Sequence, residues 1–291
     1  MIHEIKNNQL HIKVNSAGAE LQSLFSMQHN QEMLWQADPA HWARHAPILF
    51  PIVGRLAHDK LIKDGKPYPM TQHGFARDSE FVMLEKNNTT ISLLLTNDES
   101  TEKQYPFAFT LKITYLIIEN TLRCKIVVSN PADVQLPFSL GGHPAFNWPI
   151  LPGIEKENHR IVFEKQEKES VSLLGQGLII SDDKPSPLVK NKLNLTDDLF
   201  SEDALIFKDT NSKSIRYESV NSDKKASIDL AFKDYDDLGV WTKAGANFIC
   251  LEPWNGYSSP SDFDGEFTDK PGIIILAPGQ SREFRFQLTV N

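Results

Sequence analysis

The feature that most constrains this chain is a strict alternation of apolar residues with other residues in three segments. In residues 107–117, large apolar side chains occupy every second position, which places them on one face of a long, half-buried strand. Residues 122–128 alternate in the same way, and Asn120-Thr121 between the two segments predicts an antiparallel hairpin. Residues 284–290 repeat the pattern after a Pro278-Gly279 turn. We therefore expect a mostly β, antiparallel protein.

Shorter strand candidates are separated by clusters of Gly, Pro, Asn, Asp or Ser along the rest of the chain. They are residues 10–14, 20–26, 91–96, 134–140, 160–164, 204–208, 214–218, 226–232 and 247–252. A helix of one or two turns is predicted at residues 39–44, because Asp38 can cap it and Pro39 suits its first position. The more polar segment 155–198 is predicted to form loops and peripheral strands. Many strands and few helices indicate a large antiparallel β-sandwich, and we expect residues 1–291 to form a single domain.

Composition and charge exclude several classes of function. Hydrophobic residues make up 40% of the chain and charged residues 23%, as in globular proteins that fold alone. The formal net charge is −8 without a lysine or arginine cluster, so we expect no nucleic-acid partner. We expect no export signal and no membrane span, because no basic segment precedes an apolar run and no apolar stretch approaches the roughly 20 residues that cross a bilayer. Cys124 and Cys250 lie in apolar runs, which suits buried, reduced thiols and a cytoplasmic protein.

Several common catalytic motifs are missing from the sequence. It contains no Gly-x-Gly-x-x-Gly after a strand, no Gly-Lys-Ser/Thr phosphate loop, no Gly-x-Ser-x-Gly elbow and no His-Glu-x-x-His. Nucleotide-binding, serine-hydrolase and zinc-protease functions therefore lack their main support. His41 and His45 have the i,i+4 spacing of a metal site, but no third ligand lies near them in the sequence, so packing or surface roles are favoured. We expect no metal.

Three short segments, far apart in the sequence, place an ionisable side chain beside Gly or Pro at the end of a predicted strand. They are residues 72–77 with His73, residues 141–146 with His143, and residues 251–256 with Glu252. Small residues let a ligand approach the backbone, and Pro fixes the neighbouring chain, so a side chain there is held in place and still reachable. The pattern indicates an acid–base site assembled from distant parts of the chain.

Residue chemistry alone leaves structural roles open for these side chains. Alternation puts Phe248, Cys250 and Glu252 on one strand face, so burial would raise the pKa and the basicity of the carboxylate. A purely structural glutamate that pairs with an arginine at the end of a strand would also explain the position of Glu252. His73 and His143 are equally compatible with imidazoles bonded to the backbone. A lone arginine such as Arg55 is most often a solvated surface residue.

The order of several motifs resembles the aldose 1-epimerase, or galactose mutarotase, superfamily, and most closely its branch containing the LacX-like proteins. The motifs are Pro-Ile-Leu-Phe-Pro-Ile-Val-Gly-Arg-Leu at 47–56, His-Gly-Phe-Ala-Arg at 73–77, Gly-His-Pro-Ala-Phe at 142–146, Asp-Ala-Leu-Ile-Phe at 203–207 and Glu-Pro-Trp at 252–254. The resemblance spans almost the whole chain. It implies a galactose mutarotase-like supersandwich, a large antiparallel β-sandwich with an open sugar-binding cleft.

The resemblance also implies roles for individual residues. Glu252 would be the general base that removes the anomeric hydroxyl proton, and His143 the general acid that protonates the ring oxygen. The ring would open, the C1–C2 bond rotate and the ring reclose as the other anomer. His73 would hydrogen-bond near the ring oxygen, and Arg55 and Asp203 would orient sugar hydroxyls. No organic cofactor is implied.

Two further residues bear on the choice of sugar. Trp254 offers an apolar face for a pyranose ring. The His-Gly-Phe-Ala-Arg form also resembles hexose-6-phosphate 1-epimerases, in which Arg77 would meet the phosphate. The segment 53–56 departs from the Asn-Arg-rich segment usual in galactose mutarotases. The expected partner is therefore a small-molecule sugar, either an aldose or an aldose phosphate, and a homodimer stays open.

Two other classes of function compete with an epimerase. A non-catalytic carbohydrate-binding or sugar-sensing protein would keep the cleft without turnover, although retention of Glu252 and both histidines argues against it. A glycoside hydrolase would need two carboxylates beside the scissile bond. Asp203 and Glu252 could form that pair, but the histidines would then have no purpose.

Overall fold

A computed structural model describes all 291 residues, which form 25 β-strands and one short α-helix. The strands are, in chain order, β1 Ile2–Lys6, β2 Leu10–Asn15, β3 Glu20–Ser26, β4 Gln31–Glu32, β5 Ile48–Leu49, β6 Lys60–Lys63, β7 Lys66–Pro69, β8 Val82–Lys86, β9 Thr90–Thr96, β10 Thr110–Ile118, β11 Thr121–Ser129, β12 Leu136–Phe138, β13 Leu140–Gly142, β14 Ala145–Asn147, β15 His159–Phe163, β16 Ser170–Gly175, β17 Leu178–Pro185, β18 Lys192–Asn194, β19 Leu205–Phe207, β20 Ser214–Ser219, β21 Ser227–Ala231, β22 Asp237–Trp241, β23 Phe248–Asn255, β24 Ile274–Leu276 and β25 Ser281–Val290. The α-helix is α1 Glu99–Glu102, and short 3-10 helices lie at Ala57–Asp59, Ala76–Asp78, Asp197–Phe200 and Phe267–Asp269.

The larger of the two main sheets has nine antiparallel strands in the order β18-β15-β20-β21-β25-β11-β10-β9-β8. Its centre is the predicted hairpin, in which Ile117 of β10 pairs with Leu122 of β11. The last strand of the chain, β25, pairs with β11 along its whole length, from Thr121 opposite Thr289 to Ser129 opposite Ser281. The three alternating segments of the sequence therefore lie side by side, with their apolar faces buried together.

The second main sheet has eight strands, in the order β17-β16-β19-β22-β23-β13-β5, with β14 also paired to β23. The buried faces of both sheets contribute to one cluster of 65 buried residues. Across the sandwich, for example, the rings of Phe163 in β15 and Phe207 in β19 lie 5.0 Å apart. The antiparallel β-sandwich is confirmed. The single domain expected for residues 1–291 stays a prediction, which this shared core favours.

The helix predicted at residues 39–44 is wrong. Asp38 does cap a turn, since its carboxylate accepts the Ala40 N–H at 2.9 Å and its carbonyl accepts the Trp42 N–H at 2.9 Å. The chain then leaves the helical path, because the Trp42 ring packs on His143 and Arg44 pairs with Asp78 at 2.8 Å. These tertiary contacts outweigh the weak preference of one helical turn.

Other details of the prediction also have outcomes in the structure. Residues 134–140 hold two short strands instead of one, β12 and β13, which belong to different sheets. Segment 155–198 forms β15 to β18, and β17 and β18 lie at sheet edges, as predicted for peripheral strands. Both cysteines are buried free thiols. None of the helices is long and apolar enough to cross a membrane.

Candidate active site

Glu252 lies within β23, on the face turned away from the main core. Ile249 and Leu251 of the same strand belong to the 65-residue core, whereas Phe248 and Cys250 pack in a separate cluster. Because side chains alternate along a strand, Glu252 shares the face of Phe248 and Cys250, as the sequence predicted. It is only 1% exposed. It does not end the strand, since β23 continues beyond it.

His143 follows β13 directly and meets Glu252 from the neighbouring strand. The His143 backbone N–H donates to the Pro47 carbonyl at 3.0 Å. The imidazole stacks on Trp42 with ring centroids 4.9 Å apart, and Trp241 meets it edge-on at 6.0 Å. Nε2 of His143 lies 3.1 Å from Oε2 of Glu252. The two atoms are close but not aligned as a hydrogen bond, and neither Nδ1 of His143 nor Oε2 of Glu252 has a hydrogen-bond partner.

His73 lies beside His143 in a turn instead of at a strand end. Its φ angle is +66°, a left-handed conformation that is uncommon for a residue with a side chain. Two bonds to Gly54 hold it there: its N–H donates to the Gly54 carbonyl at 2.7 Å, and its Nδ1 accepts the Gly54 N–H at 3.1 Å. Because Nδ1 is an acceptor, the neutral ring carries its proton on Nε2. The rings of His73 and His143 are 5.5 Å apart.

Glu252, His143 and His73 line one cleft of about 260 Å³. The other lining residues are Trp42, Gly54, Gln72, Arg77, Leu174, Asp203, Ala204, Ile206, Trp241, Trp254 and Ser258. The fold therefore brings six of the seven sequence-predicted site residues to one place, from segments spread over residues 73–254.

Trp254 lines the cleft, and two glycines on the neighbouring strands leave room for its indole. A Cβ atom on Gly141 of β13 would lie 2.5 Å from the indole Cδ1, and one on Gly239 of β22 would lie 2.6 Å from Cη2. No other residue leaves room for the indole on both sides. The indole Nε1 is buried without a hydrogen-bond partner. A ligand in the cleft therefore meets the apolar surface of the indole.

Asp203 and Arg77 add opposite charges to the cleft. Asp203 has a φ angle of +83°, and its carboxylate accepts the N–H of Ala204 at 2.8 Å, which stabilises this strained turn. Arg77 donates from Nη2 to the Gln72 carbonyl at 2.7 Å, and its buried Nε forms no hydrogen bond but lies 3.7 Å from Oδ2 of Asp78. Burial and the nearby Arg44 guanidinium lower the pKa of Arg77 to about 10, which leaves it cationic at neutral pH.

Arg55 is the predicted site residue that the structure leaves outside the cleft. Its guanidinium forms a bidentate pair with Asp59, with both N–O distances at 2.6 Å, and also donates to the Gln176 carbonyl at 3.1 Å. Its backbone still borders the site, since its N–H donates to Oγ of Ser258 at 3.1 Å. The sugar-orienting role of Arg55 stays a prediction.

Burial moves the pKa values of the central residues toward their uncharged forms. Desolvation, with the Asp203 charge as a second cause, raises the pKa of Glu252 well above its usual value. Desolvation, aided by Arg77, lowers the pKa of His143 to about 3. The same cause, with His143 next, lowers the pKa of His73 well below its usual value. The 3.1 Å contact of Glu252 with His143 has the length of an ion pair, but burial favours a carboxylic acid beside a neutral imidazole.

The same place also holds a set of metal-ligand atoms that the sequence did not indicate. Donor atoms of His143, Cys250 and Glu252 all lie within 4.8 Å of one another. They come together because Ala145, two residues after His143, pairs with Cys250 across β14 and β23. By contrast, no third donor joins His41 and His45.

Trp42 and Trp241 are cleft residues that the sequence analysis missed. Trp42 stands in the segment taken for a helix, and Trp241 ends β22 beside Glu252 and Cys250 of β23. Neither has a Gly or Pro neighbour, so the signal that found the histidines does not apply to them. Only knowledge of which strands are adjacent identifies them as walls of the site.

The strand order, the open cleft and the buried acid–base groups define the chain as a galactose mutarotase-like β-sandwich. A family model described as aldose 1-epimerase matches residues 1–289. A curated relative, the chromosomal protein LacX of Lactococcus lactis subsp. lactis, is 31% identical over 301 residues, covering 100% of this chain and 99% of its own.

Solved structures agree with these matches. A galactose mutarotase related enzyme from Lactobacillus acidophilus is 33% identical, with a TM-score of 0.92 over 100% of this chain and 97% of its own. A galactose mutarotase-like protein from Lactobacillus casei is 28% identical, with a TM-score of 0.93 over 100% of both chains. The chain belongs to the aldose 1-epimerase family, within its LacX-like branch, which supports a sugar as its small-molecule partner.

Proposed function

We propose that this chain is an aldose 1-epimerase, which interconverts the α and β anomers of an aldose by acid–base ring opening and reclosure. The observation that carries the proposal is the contact of 3.1 Å between Nε2 of His143 and Oε2 of Glu252 at the floor of the cleft. Ring opening needs one group to take a proton from the anomeric hydroxyl and another to give one to the ring oxygen. This pair supplies both.

The pair needs one proton in total to run the reaction. A carboxylic acid beside a neutral imidazole and a carboxylate beside an imidazolium hold the same number of protons. Once the two side chains align as a hydrogen bond, the form that burial favours therefore converts into the reactive form by one proton transfer, without exchange with water. Glu252 then takes the anomeric proton while His143 protonates the ring oxygen. Reclosure on the other face of the aldehyde reverses both transfers.

The other cleft residues orient the sugar in this proposal. His73 carries its proton on Nε2, because Nδ1 accepts from Gly54, so it can donate to the ring oxygen. Trp254 packs against the apolar face of the pyranose, and Asp203 accepts from a ring hydroxyl. None of these steps draws on a metal or an organic cofactor. Two free thiols also support the cytoplasm as the compartment.

A hexose-6-phosphate 1-epimerase is the second candidate, and Arg77 is the observation that favours it. Arg77 is the only lysine or arginine among the residues that line the cleft, and its Nε forms no hydrogen bond, with Oδ2 of Asp78 3.7 Å away. A guanidinium fits two phosphate oxygens in a bidentate contact. The same group also suits a sugar hydroxyl, so the substrate decides between the two candidates.

The test is an exchange assay on a panel of free and 6-phosphorylated aldoses, followed by polarimetry or by NMR saturation transfer. Acceleration of α–β exchange above the buffer rate for at least one sugar supports an epimerase. The ratio of kcat/KM for a sugar and its 6-phosphate then selects between the two candidates. Sugar binding without acceleration on any member of the panel would contradict the proposal and favour a carbohydrate-binding protein.

A further inference from the structure

Cys250 is a buried thiol next to the proposed acid–base pair that the anomer exchange does not use. It lies on the same face of β23 as Glu252 and packs with Trp35, Ala145 and Phe248 beneath the cleft. Its sulfur, a nitrogen of His143 and an oxygen of Glu252 all lie within 4.8 Å of one another. Nδ1 of His143 and Oε2 of Glu252 have no hydrogen-bond partner, although both residues are at least nine-tenths buried.

We propose that His143, Cys250 and Glu252 bind a thiophilic divalent cation such as Zn²⁺, and that this ion inhibits the anomer exchange. A sulfur, a nitrogen and an oxygen donor select Zn²⁺ over Mg²⁺ or Ca²⁺, which prefer oxygen donors alone. Tetrahedral zinc holds its ligand atoms about 3.5 Å apart. Nε2 of His143 and Oε2 of Glu252 are already 3.1 Å apart, so the main adjustment is an approach of the Cys250 sulfur, which lies within 4.8 Å of the other two donor atoms, by up to roughly 1 Å. The cleft gives the ion a path to His143 and Glu252, which both line it, and water from the cleft takes the fourth position.

Charge balance allows this ion to occupy a buried place. On binding, the Cys250 thiol and the Glu252 carboxyl each release a proton to water. The thiolate sulfur, a carboxylate oxygen and a neutral imidazole nitrogen then donate lone pairs to the ion. One thiolate and one carboxylate offset the two positive charges of Zn²⁺, so the complex is neutral and its burial is tolerated.

Binding and catalysis exclude each other in this arrangement. The ion occupies the lone pairs with which Glu252 and His143 would accept and transfer protons. Inhibition therefore rests on the proposed function, whereas metal binding does not. Zinc affinity should rise with pH, because two protons leave on binding.

The experiment uses the full chain with ZnCl₂ in isothermal titration calorimetry, and with CdCl₂ in ultraviolet difference spectroscopy, where a thiolate ligand gives a charge-transfer band. We expect one Zn²⁺ per chain and a cadmium–thiolate band. Cys250→Ala should weaken zinc binding at least about tenfold and remove the band. It should keep wild-type anomer exchange but lose its sensitivity to zinc.

Cys124→Ala is the matched control, because Cys124 is the other buried free thiol and belongs to the nine-stranded sheet, away from the three donors. It should bind zinc as the wild type does. Unchanged zinc affinity in Cys250→Ala, an equal loss in Cys124→Ala, or no stoichiometric binding to the wild type would overturn the proposal. If Cys250→Ala does not fold, Cys250→Ser replaces it, and His143→Asn should give a similar loss of binding. An inactive wild type that still binds zinc would reject the epimerase and keep the metal site.

Discussion

Glu252→Gln tests the proposed acid–base pair most directly, because it keeps the size and hydrogen-bonding shape of the side chain and removes its basicity. Glu252 is 1% exposed, and its contact with His143 is 3.1 Å, so water is poorly placed to replace it as the base. A positioned base contributes about 100- to 10,000-fold. At about 1.4 kcal/mol for each factor of ten, the barrier should rise by about 2.8–5.6 kcal/mol, and kcat should fall accordingly. Sugar binding should largely survive.

The same substitution should change the pH dependence of stability. Burial raises the pKa of Glu252 above its usual 4.5, so the folded chain keeps a proton that the unfolded chain loses above that pH. The stability that depends on Glu252 is therefore complete below pH 4.5 and is lost as pH rises toward the folded pKa, by about 1.4 kcal/mol for each pH unit. Glutamine does not titrate. The Tm of Glu252→Gln minus that of the wild type should therefore increase from pH 4.5 toward neutral pH.

The assay is anomer exchange on a confirmed substrate, with folding checked by circular dichroism. Glu218→Gln is the control, because Glu218 lies on β20, outside the cleft, where it accepts from Arg160 at 2.7 Å. It should leave exchange unchanged. The Glu252→Gln/His143→Asn double variant should be little slower than the poorer single variant, since both residues serve one proton relay. Near-wild-type exchange in folded Glu252→Gln would refute the base assignment. A Tm difference that shrinks with pH would show that Glu252 is already ionised in the folded chain.

Three further predictions follow from the geometry of the cleft. The pH profile of kcat/KM should be flat between two limbs: an acid limb near pH 3, where the pair gains a second proton on His143, and an alkaline limb well above pH 4.5, where Glu252 loses its proton. A bell-shaped profile confined to pH 4.5–6.5 would contradict the proposed pair. Arg77→Ala should raise KM at least about tenfold for a 6-phosphate and less for the free sugar, and a wild type that prefers the free sugar would reject the phosphate role. Gly239→Ala should displace the Trp254 indole, which should lower the free energy of unfolding by about 1–3 kcal/mol in a denaturation curve and raise KM. Gly265→Ala is the control, because a Cβ there would make only ordinary contacts, and it should change neither the stability nor KM.

The sequence predicted the strands well where burial alone decides them. The alternation in residues 107–117 and 122–128 records which side chains face the core, so β10, β11 and their hairpin were expected. Several shorter strands were also expected, including β2, β15 and β20, but the short turn at residues 39–44 and helix α1 were not predicted correctly. The turn at residues 39–44 is set by contacts of Trp42 and Arg44 that lie far away in the sequence. Helix α1, which the sequence analysis missed, depends on a capping box between Asp98 and Thr101, in which threonine takes the place of the usual Glu or Gln.

The residues of the candidate site also differ in whether local sequence or distant contacts determine their positions. His73, His143 and Glu252 were found because each has a Gly or Pro neighbour that shapes its own segment. Trp42, Trp241 and the Cys250 thiol were not found, because their positions near the site depend on contacts between distant parts of the chain. Only the pairing of β14 with β23 brings Cys250 to His143. A single sequence carries no local sign of such a pairing.

The burial of the acid–base pair explains how one β-sheet can hold both a core and a reactive site. In β23 every residue is buried, but alternate residues face different surroundings: Ile249 and Leu251 face the main core, whereas on the other face Glu252 lines the cleft and Cys250 packs beneath it. A lone carboxylate in such a place would be costly to desolvate. Beside His143 the carboxyl can keep its proton, so the resting site is uncharged and the fold tolerates it. In the proposed mechanism, the charged form of the pair arises only by transfer of that proton from Glu252 to His143, at the point where a bound sugar would use it.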